Sequence, residues 1–240
     1  PVMSSAQLRE CYSQAYPSGA ATGESIAALM GNSDTDWQDL IFRTDFATEH
    51  NVSVHGNLKN RMPYRASLAY SGQEGTLRES RYDRGTADVS ISPSFLDKHL
   101  SFDVNLKGVY SYSDYADGSV VGRAAFFNPT MDPYWRNSDG TIDYTTTNGY
   151  WNYGNGRGTE FSPNSLVGPS PLSILYDKIS NASSLRFIGR VAADYKVHGF
   201  EALKFNLSLG LDISQTNSYN GNRPGSFQAY RDTSNLKIGT

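Results

Sequence analysis

Four histidines, one cysteine, scattered carboxylates and a dense run of aromatic rings are the side chains of this 240-residue chain that could carry chemistry. His50, His55, His99 and His198 are scattered, and on a strand His50 and His55 face opposite ways, so no zinc site follows. The lone Cys11 allows neither an internal disulfide nor a cysteine-ligated metal, and it reads as a buried, inert thiol on a helix. Asp34, Asp36 and Asp39 cluster without the further ligands and glycine of a calcium loop; acids in that position favour a helix N-terminus. The run Gly154-Asn155-Gly156-Arg157-Gly158 has no strand before it and no helix after it, so it reads as a flexible loop and not as a phosphate cradle. Carboxylates are plentiful, but no sequence rule pairs two of them at glycosidase spacing. The glycosylation patterns at Asn51, Asn181 and Asn206 are discounted, two of them lying within strand candidates. No catalytic residue, cofactor site or metal site is expected, and the chain is read as no enzyme.

Aromatic density is the stronger signal. Tyr134 and Trp135, then Tyr144, then Tyr150, Trp151, Asn152 and Tyr153 crowd one otherwise polar stretch. Aromatic faces stack on the apolar faces of sugar rings, amides and phenols hydrogen-bond hydroxyl groups, and rigid rings anchor a ligand at low entropic cost. Tyr134, Trp135, Tyr150, Trp151 and Tyr153 are therefore the candidate substrate-binding residues. The same rings could pack the interior of their own loop, since a loop this long needs a small core, or the surface of a partner.

The elements that hold this stretch follow from composition and period. Lysine and arginine number 21 against 24 acids, a net charge of −3 and a pI near 5.8, which gives no basic field for nucleic acid. Only 38% of residues are hydrophobic and mean hydropathy is −0.51, and no apolar run approaches the roughly 18–20 residues of a membrane-spanning helix. The opening residues, Pro1-Val2-Met3-Ser4, are no signal peptide. These features leave a membrane β-barrel open, because each of its strands needs about ten residues and shows lipid only half of them. Residues 4–16 predict a short amphipathic helix capped by Ser4 or Ser5. Thr35-Asp36-Trp37-Gln38 predicts a capping box opening a helix through about Arg43.

From residue 50 the period changes to two. Tyr64, Ala66, Leu68 and Tyr70 alternate with polar neighbours, as do Gly85 to Ile91, Leu100 to Tyr112, Leu185 to Tyr195 and Leu203 to Ile213; Val52 and Val54 mark a weaker first strand. A helix would scatter these positions around its circumference, so six strands are expected. Short turns (57–62, 93–99, 197–203) alternate with longer segments (72–83, about 113–183, and 215 onward). The arrangement is an all-β, antiparallel up-and-down meander with its long loops at one rim, the layout of outer-membrane barrels. A soluble, secreted β-sandwich carbohydrate-binding module also alternates and is the competing reading, and a surface glycosidase would need a carboxylate pair in one cleft. Three features favour the barrel. Ionised side chains such as Arg65, Asp88, Lys107, Arg186 and Asp212 keep to one face. The apolar face carries Gly85, Gly108 and Gly189, which a close-packed core would turn into voids. Its aromatics gather near strand ends, as in an interfacial girdle. Six strands cannot close a barrel and unpaired edges are not tolerated in lipid, so a larger barrel is expected.

Two groups of residues carry a family resemblance. Thr35-Asp36-Trp37-Gln38-Asp39 with Ile41-Phe42-Arg43-Thr44 and His50-Asn51-Val52-Ser53-Val54 forms the first. Pro63-Tyr64-Arg65-Ala66-Ser67, Gln73-Glu74-Gly75-Thr76-Leu77, Phe127-Asn128-Pro129-Thr130 and Arg186-Phe187-Ile188-Gly189 form the second. In order and type these resemble the SusC/RagA-type TonB-dependent outer-membrane transporters of Bacteroidetes, over most of residues 35–213. The resemblance implies a 22-stranded barrel with an N-terminal plug, energised through TonB, in the bacterial outer membrane. It also implies a SusD-type lipoprotein capping the extracellular mouth and import of oligosaccharides or peptides. Residues 1–49 would then be an extracellular loop with short helices. Residues 50–240 would be a partial barrel of about six strands whose long extracellular loop spans about 113–183.

Overall fold

The computed structural model describes residues 2–16, 29–164 and 166–231. Six long strands form one antiparallel sheet in chain order: β1 (Ala47–Leu58), β2 (Met62–Glu74), β3 (Arg81–Ile91), β4 (Leu100–Asp114), β5 (Lys178–Lys196) and β6 (Lys204–Asn222). A two-residue strand, Ser94–Phe95, pairs with the start of β4. Register follows the sequence period. One row reads Val52, Leu68, Ala87, Gly108, Phe187 and Ile213, and the next reads Ser53, Ser67, Asp88, Lys107, Ile188 and Asp212. Because side chains alternate at every residue, the first row and its even neighbours make an apolar face and the second makes a polar one. A slip of one residue in any strand would carry its charges onto the apolar face.

Several strand limits differ from the periodic reading, and β1 already begins at Ala47. β5 begins at Lys178 and β6 runs on to Asn222, through segments polar on both faces where no alternation marks a strand. Pairing of β2 with β3 continues to Glu74 and Arg81, which shortens that connection to residues 75–80. The final segment is therefore strand as far as Asn222, with a short helix after it, and its last residues, 232–240, lie outside the described residues. The connections at one end are brief, at 59–61, 92–99 and 197–203, and the long segment 115–177 leaves from the other end.

Helix α1 (Ser5–Ala15) starts on a capping box: Ser4 Oγ accepts from the Gln7 amide at 3.2 Å, and Gln7 Oε1 accepts from the Ser4 amide at 2.9 Å. Cys11 on this helix is exposed, contrary to expectation, because α1 lies on the surface and buries only Ser5. Helix α2 (Trp37–Ile41) ends two residues early and is capped by Asp36, whose Oδ1 accepts from the amides of Gln38 and Asp39. Thr35 is not the cap; its hydroxyl donates instead to the Met131 carbonyl at 2.6 Å.

The hydrophobic core is not against the sheet. It lies among α2, α3 (Ser119–Phe126) and α4 (Pro171–Asp177), where Trp37, Ile41, Val120, Ala124, Phe127, Met131, Leu172 and Leu175 are buried together. The Arg43 amide donates to the Thr76 carbonyl and the Arg78 amide to the Ile41 carbonyl, tying α2 to the β2–β3 connection. The long segment between β4 and β5 is thus a folded unit fixed to one end of the sheet.

Candidate functional site

The two faces of the sheet differ chemically. On the apolar face Val52 is 70% exposed, Leu68 66% and Leu209 63%; Phe205, Leu207, Leu211 and Ile213 are likewise exposed, and no second layer of described residues covers them. A run of leucines left in water would be a severe liability for a soluble domain. Glycines open gaps in this face. Added methyl groups at Gly85 or Gly108 would meet nothing within 4 Å, and the furrow over them, about 560 Å3, is walled by Leu68, Tyr70, Tyr110 and Leu185. At the upper margin of the apolar band Tyr70 donates to Asp83 Oδ1 at 2.8 Å, so its ring stays among hydrocarbon groups while its hydroxyl reaches the polar rim. Aromatics also gather at the short-turn end, where Phe95 and Phe102 meet edge to face at 6.1 Å and Phe200 is exposed.

The opposite face is a field of solvated polar groups. Arg186 grips Asp212 in a two-pronged ion pair, Nε to Oδ1 at 2.9 Å and Nη2 to Oδ2 at 2.5 Å. Asn206 donates to Asp194 at 2.7 Å, Asn105 to Asp103 at 2.9 Å and Arg190 to Ser208 at 3.3 Å. Mid-strand ions on one face suit a water-filled interior and would be intolerable against lipid. β1 pairs only with β2, and β6 only with β5, so both outer edges of this sheet keep unpaired backbone groups among the described residues.

The folded segment beyond β4 holds the predicted aromatics. Tyr134 and Tyr150 meet at 6.0 Å across a backbone bridge, Tyr150 stacks on Tyr176 at 5.7 Å, Trp135 lies 5.9 Å from Trp151, and Trp151 meets Tyr153 edge to face at 4.6 Å. The structure therefore holds all five candidates, Tyr134, Trp135, Tyr150, Trp151 and Tyr153, in a half-buried aromatic array of two ring groups, Tyr134–Tyr150–Tyr176 and Trp135–Trp151–Tyr153. Much of each face is spent on a neighbour: Phe127 covers Trp151 and Tyr153, and the Arg157 guanidinium lies 5.0 Å over Trp135. Tyr144 stands outside the array and is exposed. Burial pushes the Tyr150 phenol above its ordinary value.

Polar residues hold this array in place. Asn152 is wholly buried, accepting from the Ser170 amide at 2.6 Å and donating to the Tyr150 carbonyl and Ser173 Oγ. Asp143 accepts from the amide and hydroxyl of Thr145 and from Thr146 Oγ1, and the Thr145 hydroxyl leads in holding its carboxyl below the usual range. Asn128 accepts from Thr130 through its side chain and from Trp37 Nε1 through its carbonyl at 3.0 Å, while the Pro129 carbonyl accepts from Thr35. The stretches Thr35-Asp36-Trp37 and Asn128-Pro129-Thr130, far apart in sequence, thus meet in one joint. Gly154-Asn155 pairs with Ser162-Pro163 in a small hairpin, so the first two residues of the glycine run are strand-paired. Among the described residues no group of three or more His, Cys, Asp or Glu could hold a metal ion.

An antiparallel meander whose bared face is hydrocarbon and whose other face is ionic is a stretch of transmembrane β-barrel wall. Comparison with known proteins gives it a family. No family model matches the sequence. The chain is 38% identical over 203 residues to the TonB-dependent receptor SusC of Bacteroides thetaiotaomicron, covering 80% of this chain and 19% of that protein. Its fold matches a chain of the RagAB peptide transporter with a TM-score of 0.58 at 18% identity, covering 93% of this chain and 24% of that one. A second match is to the RagAB peptide importer in its closed-closed state, with a TM-score of 0.56 at 19% identity, covering 82% and 21%. The chain belongs to the SusC/RagA-type TonB-dependent transporters, and it spans about a fifth of the length of the curated relative it matches.

Proposed function

We propose that this chain is part of the barrel wall, and of an extracellular loop, of an outer-membrane importer of glycans or peptides. The observation that carries the proposal is the apolar face of β1–β6, exposed along its length and uncovered by any second layer. A sandwich module would hide those leucines, which is why the soluble carbohydrate-binding reading is set aside. In the importer the six strands contribute lipid-facing wall outside and a polar lining inside, and further strands would pair the free edges of β1 and β6. The segment 115–177, with α1 and α2 joined to it, lies at the rim from which the long connections leave, which the family pattern makes the extracellular mouth. There its aromatic array serves first as the rigid core of the loop. The exposed edges of Tyr134, Trp135, Tyr150, Trp151 and Tyr153 are the part of it that substrate or a SusD-type lipoprotein lid would touch. TonB would act through other parts of the complete protein.

Fractionation and affinity capture of the complete protein test this reading. It should sediment with outer membranes, resist alkaline extraction, require detergent for release, and bring down a lipidated surface partner. Cells lacking it should lose TonB-dependent uptake of a labelled oligosaccharide or peptide pool. Recovery as a soluble secreted protein would overturn the proposal.

A further inference from the structure

Towards the rim from which the long connections leave, the apolar face of β3–β6 passes into a strip of polar side chains. Its topmost apolar row crosses Tyr70, Gly85, Tyr110 and Leu185, which form walls and floor of the furrow of about 560 Å3. The next two rows on the same face read Asp83, Tyr112, Ser183 and Asn217, then Arg81, Asp114, Asn181 and Tyr219. Asp83 accepts from Tyr70 and pairs with Arg81, and Tyr112 donates to Asp114 Oδ1 at 2.9 Å. Among the described residues, the side chains of Asn181, Ser183, Asn217 and Tyr219 have no hydrogen-bond or ionic partner, and Tyr219 is 55% exposed.

Furrow and strip together call for a lipid, and their chemistry selects which. The furrow's surface is almost wholly carbon, and methyl groups added at Gly85 or Gly108 would meet nothing within 4 Å. It therefore admits an acyl chain and offers a polar group nothing to bond. Tyr219 lies six residues beyond Ile213, the last aliphatic residue of its face, which is roughly 20 Å of strand and about 14 Å of height at a tilt of about 45°. A phospholipid head layer adds only about 5–7 Å to each side of the hydrocarbon, so the strip outreaches it. Charge argues the same way. A phosphate head seeks unpaired lysine or arginine, whereas Arg81 is already held by Asp83 and a second carboxylate, Asp114, stands beside it. The free groups are amides, a hydroxyl and a phenol ring, which suit sugar hydroxyls and sugar ring faces.

We propose that this outward face docks a glycolipid of the outer leaflet, with one acyl chain seated in the furrow and its uncharged sugars lying along Asn181, Ser183, Asn217 and Tyr219. The site rests on the reading of this sheet as barrel wall, and it gives that wall a lipid-binding role separate from the handling of cargo.

Photolabelling of the complete protein in phosphatidylcholine vesicles tests the site. The probes are digalactosyl diacylglycerol, phosphatidylethanolamine and phosphatidylglycerol, each at the same trace fraction and with the same diazirine-bearing acyl chain, and labelled peptides are mapped by mass spectrometry. The galactolipid should label the furrow walls, 68–70 and 108–110, at least about fivefold more than either phospholipid, a ratio that two added hydrogen bonds supply. All three probes should label 205–213 alike. Gly108→Leu, which fills the furrow, should cut the galactolipid label there by about tenfold. Asn181→Ala combined with Asn217→Ala should lower it to the phospholipid level and leave 205–213 unchanged. Should Gly108→Leu fail to assemble, Gly85→Leu and the double alanine variant decide in its place. Equal labelling of the furrow by all three lipids, preference for a phospholipid, or a furrow shielded from every probe by a second copy of the chain overturns the site and leaves the wall standing. Absence of label from 205–213 overturns the wall itself, and the site with it.

Discussion

Replacing Leu209 with arginine isolates the claim that one face of β6 lies against hydrocarbon. The apolar run of that face extends from Phe205 to Ile213, roughly 26 Å of strand at about 3.3 Å per residue, and Leu209 is its midpoint. At the usual barrel tilt such a run covers most of an apolar band of about 25 Å. Leu209 projects freely, and its register neighbours Val191 and Val104 offer no counter-charge. An arginine at that depth should cost about 2–4 kcal/mol, a shift of roughly 30- to 700-fold in the assembly equilibrium at about 1.4 kcal/mol per tenfold. Phe205→Arg, at the margin of the band, should cost about 0–1 kcal/mol by the same depth dependence. Asn206→Arg points to the polar face beside Asp194 and should stay within about 0.5 kcal/mol of wild type. The assay is folding of the complete protein into phospholipid vesicles across a urea series, with the assembled fraction read as the heat-modifiable band on a gel. Equal tolerance of arginine at 206 and 209 would refute the reasoning.

The folded segment and its root give further tests. Ile41→Ala empties a fully buried position in the core shared by α2, α3 and α4, and should cost about 2–5 kcal/mol; limited proteolysis should then cut within 115–177 while the sheet's circular dichroism persists. Asn152→Ala strands the Ser170 amide in a dry site and should cost about 1–3 kcal/mol, seen as faster hydrogen exchange at the start of α4. Burial raises the Asp177 carboxyl from 3.8 to about 6, so between those values the folded state holds a proton that the unfolded state has released. Its contribution is therefore most favourable below about pH 4 and declines as pH rises to about 6, by about 3 kcal/mol in all. Asp177→Asn should flatten that part of the melting-temperature profile, and an unchanged slope would place the titrating group elsewhere.

Sequence period made the six strands legible because one face of each is apolar, and the same signal fades where the faces match. Residues 178–184 and 215–222 are polar on both sides, so β5 and β6 extend through stretches that alternation does not mark. Helix α2 was legible as a start but not in detail, since Thr35 and Asp36 are both competent caps and the choice is made by a distant carbonyl, that of Met131. Cys11 looked buried because its helix is amphipathic in spacing, yet an apolar stripe is buried only where something packs on it. The aromatic array was visible as crowding between 134 and 153, but its internal stacking depends on Phe127 and Tyr176, which lie outside that window.

Site-directed labelling along β6 tests the central claim most directly. In the complete protein with Cys11 replaced by serine, single cysteines at successive positions from 205 to 214 would be probed in lipid vesicles with a charged maleimide, and with a fluorophore quenched by nitroxide-bearing acyl chains. Positions 205, 207, 209, 211 and 213 should be quenched by the lipid and refractory to the maleimide, and the positions between them should behave the opposite way. Quenching without alternation, or maleimide reaction at 207, 209 and 211, would contradict a wall that meets hydrocarbon on one side and water on the other.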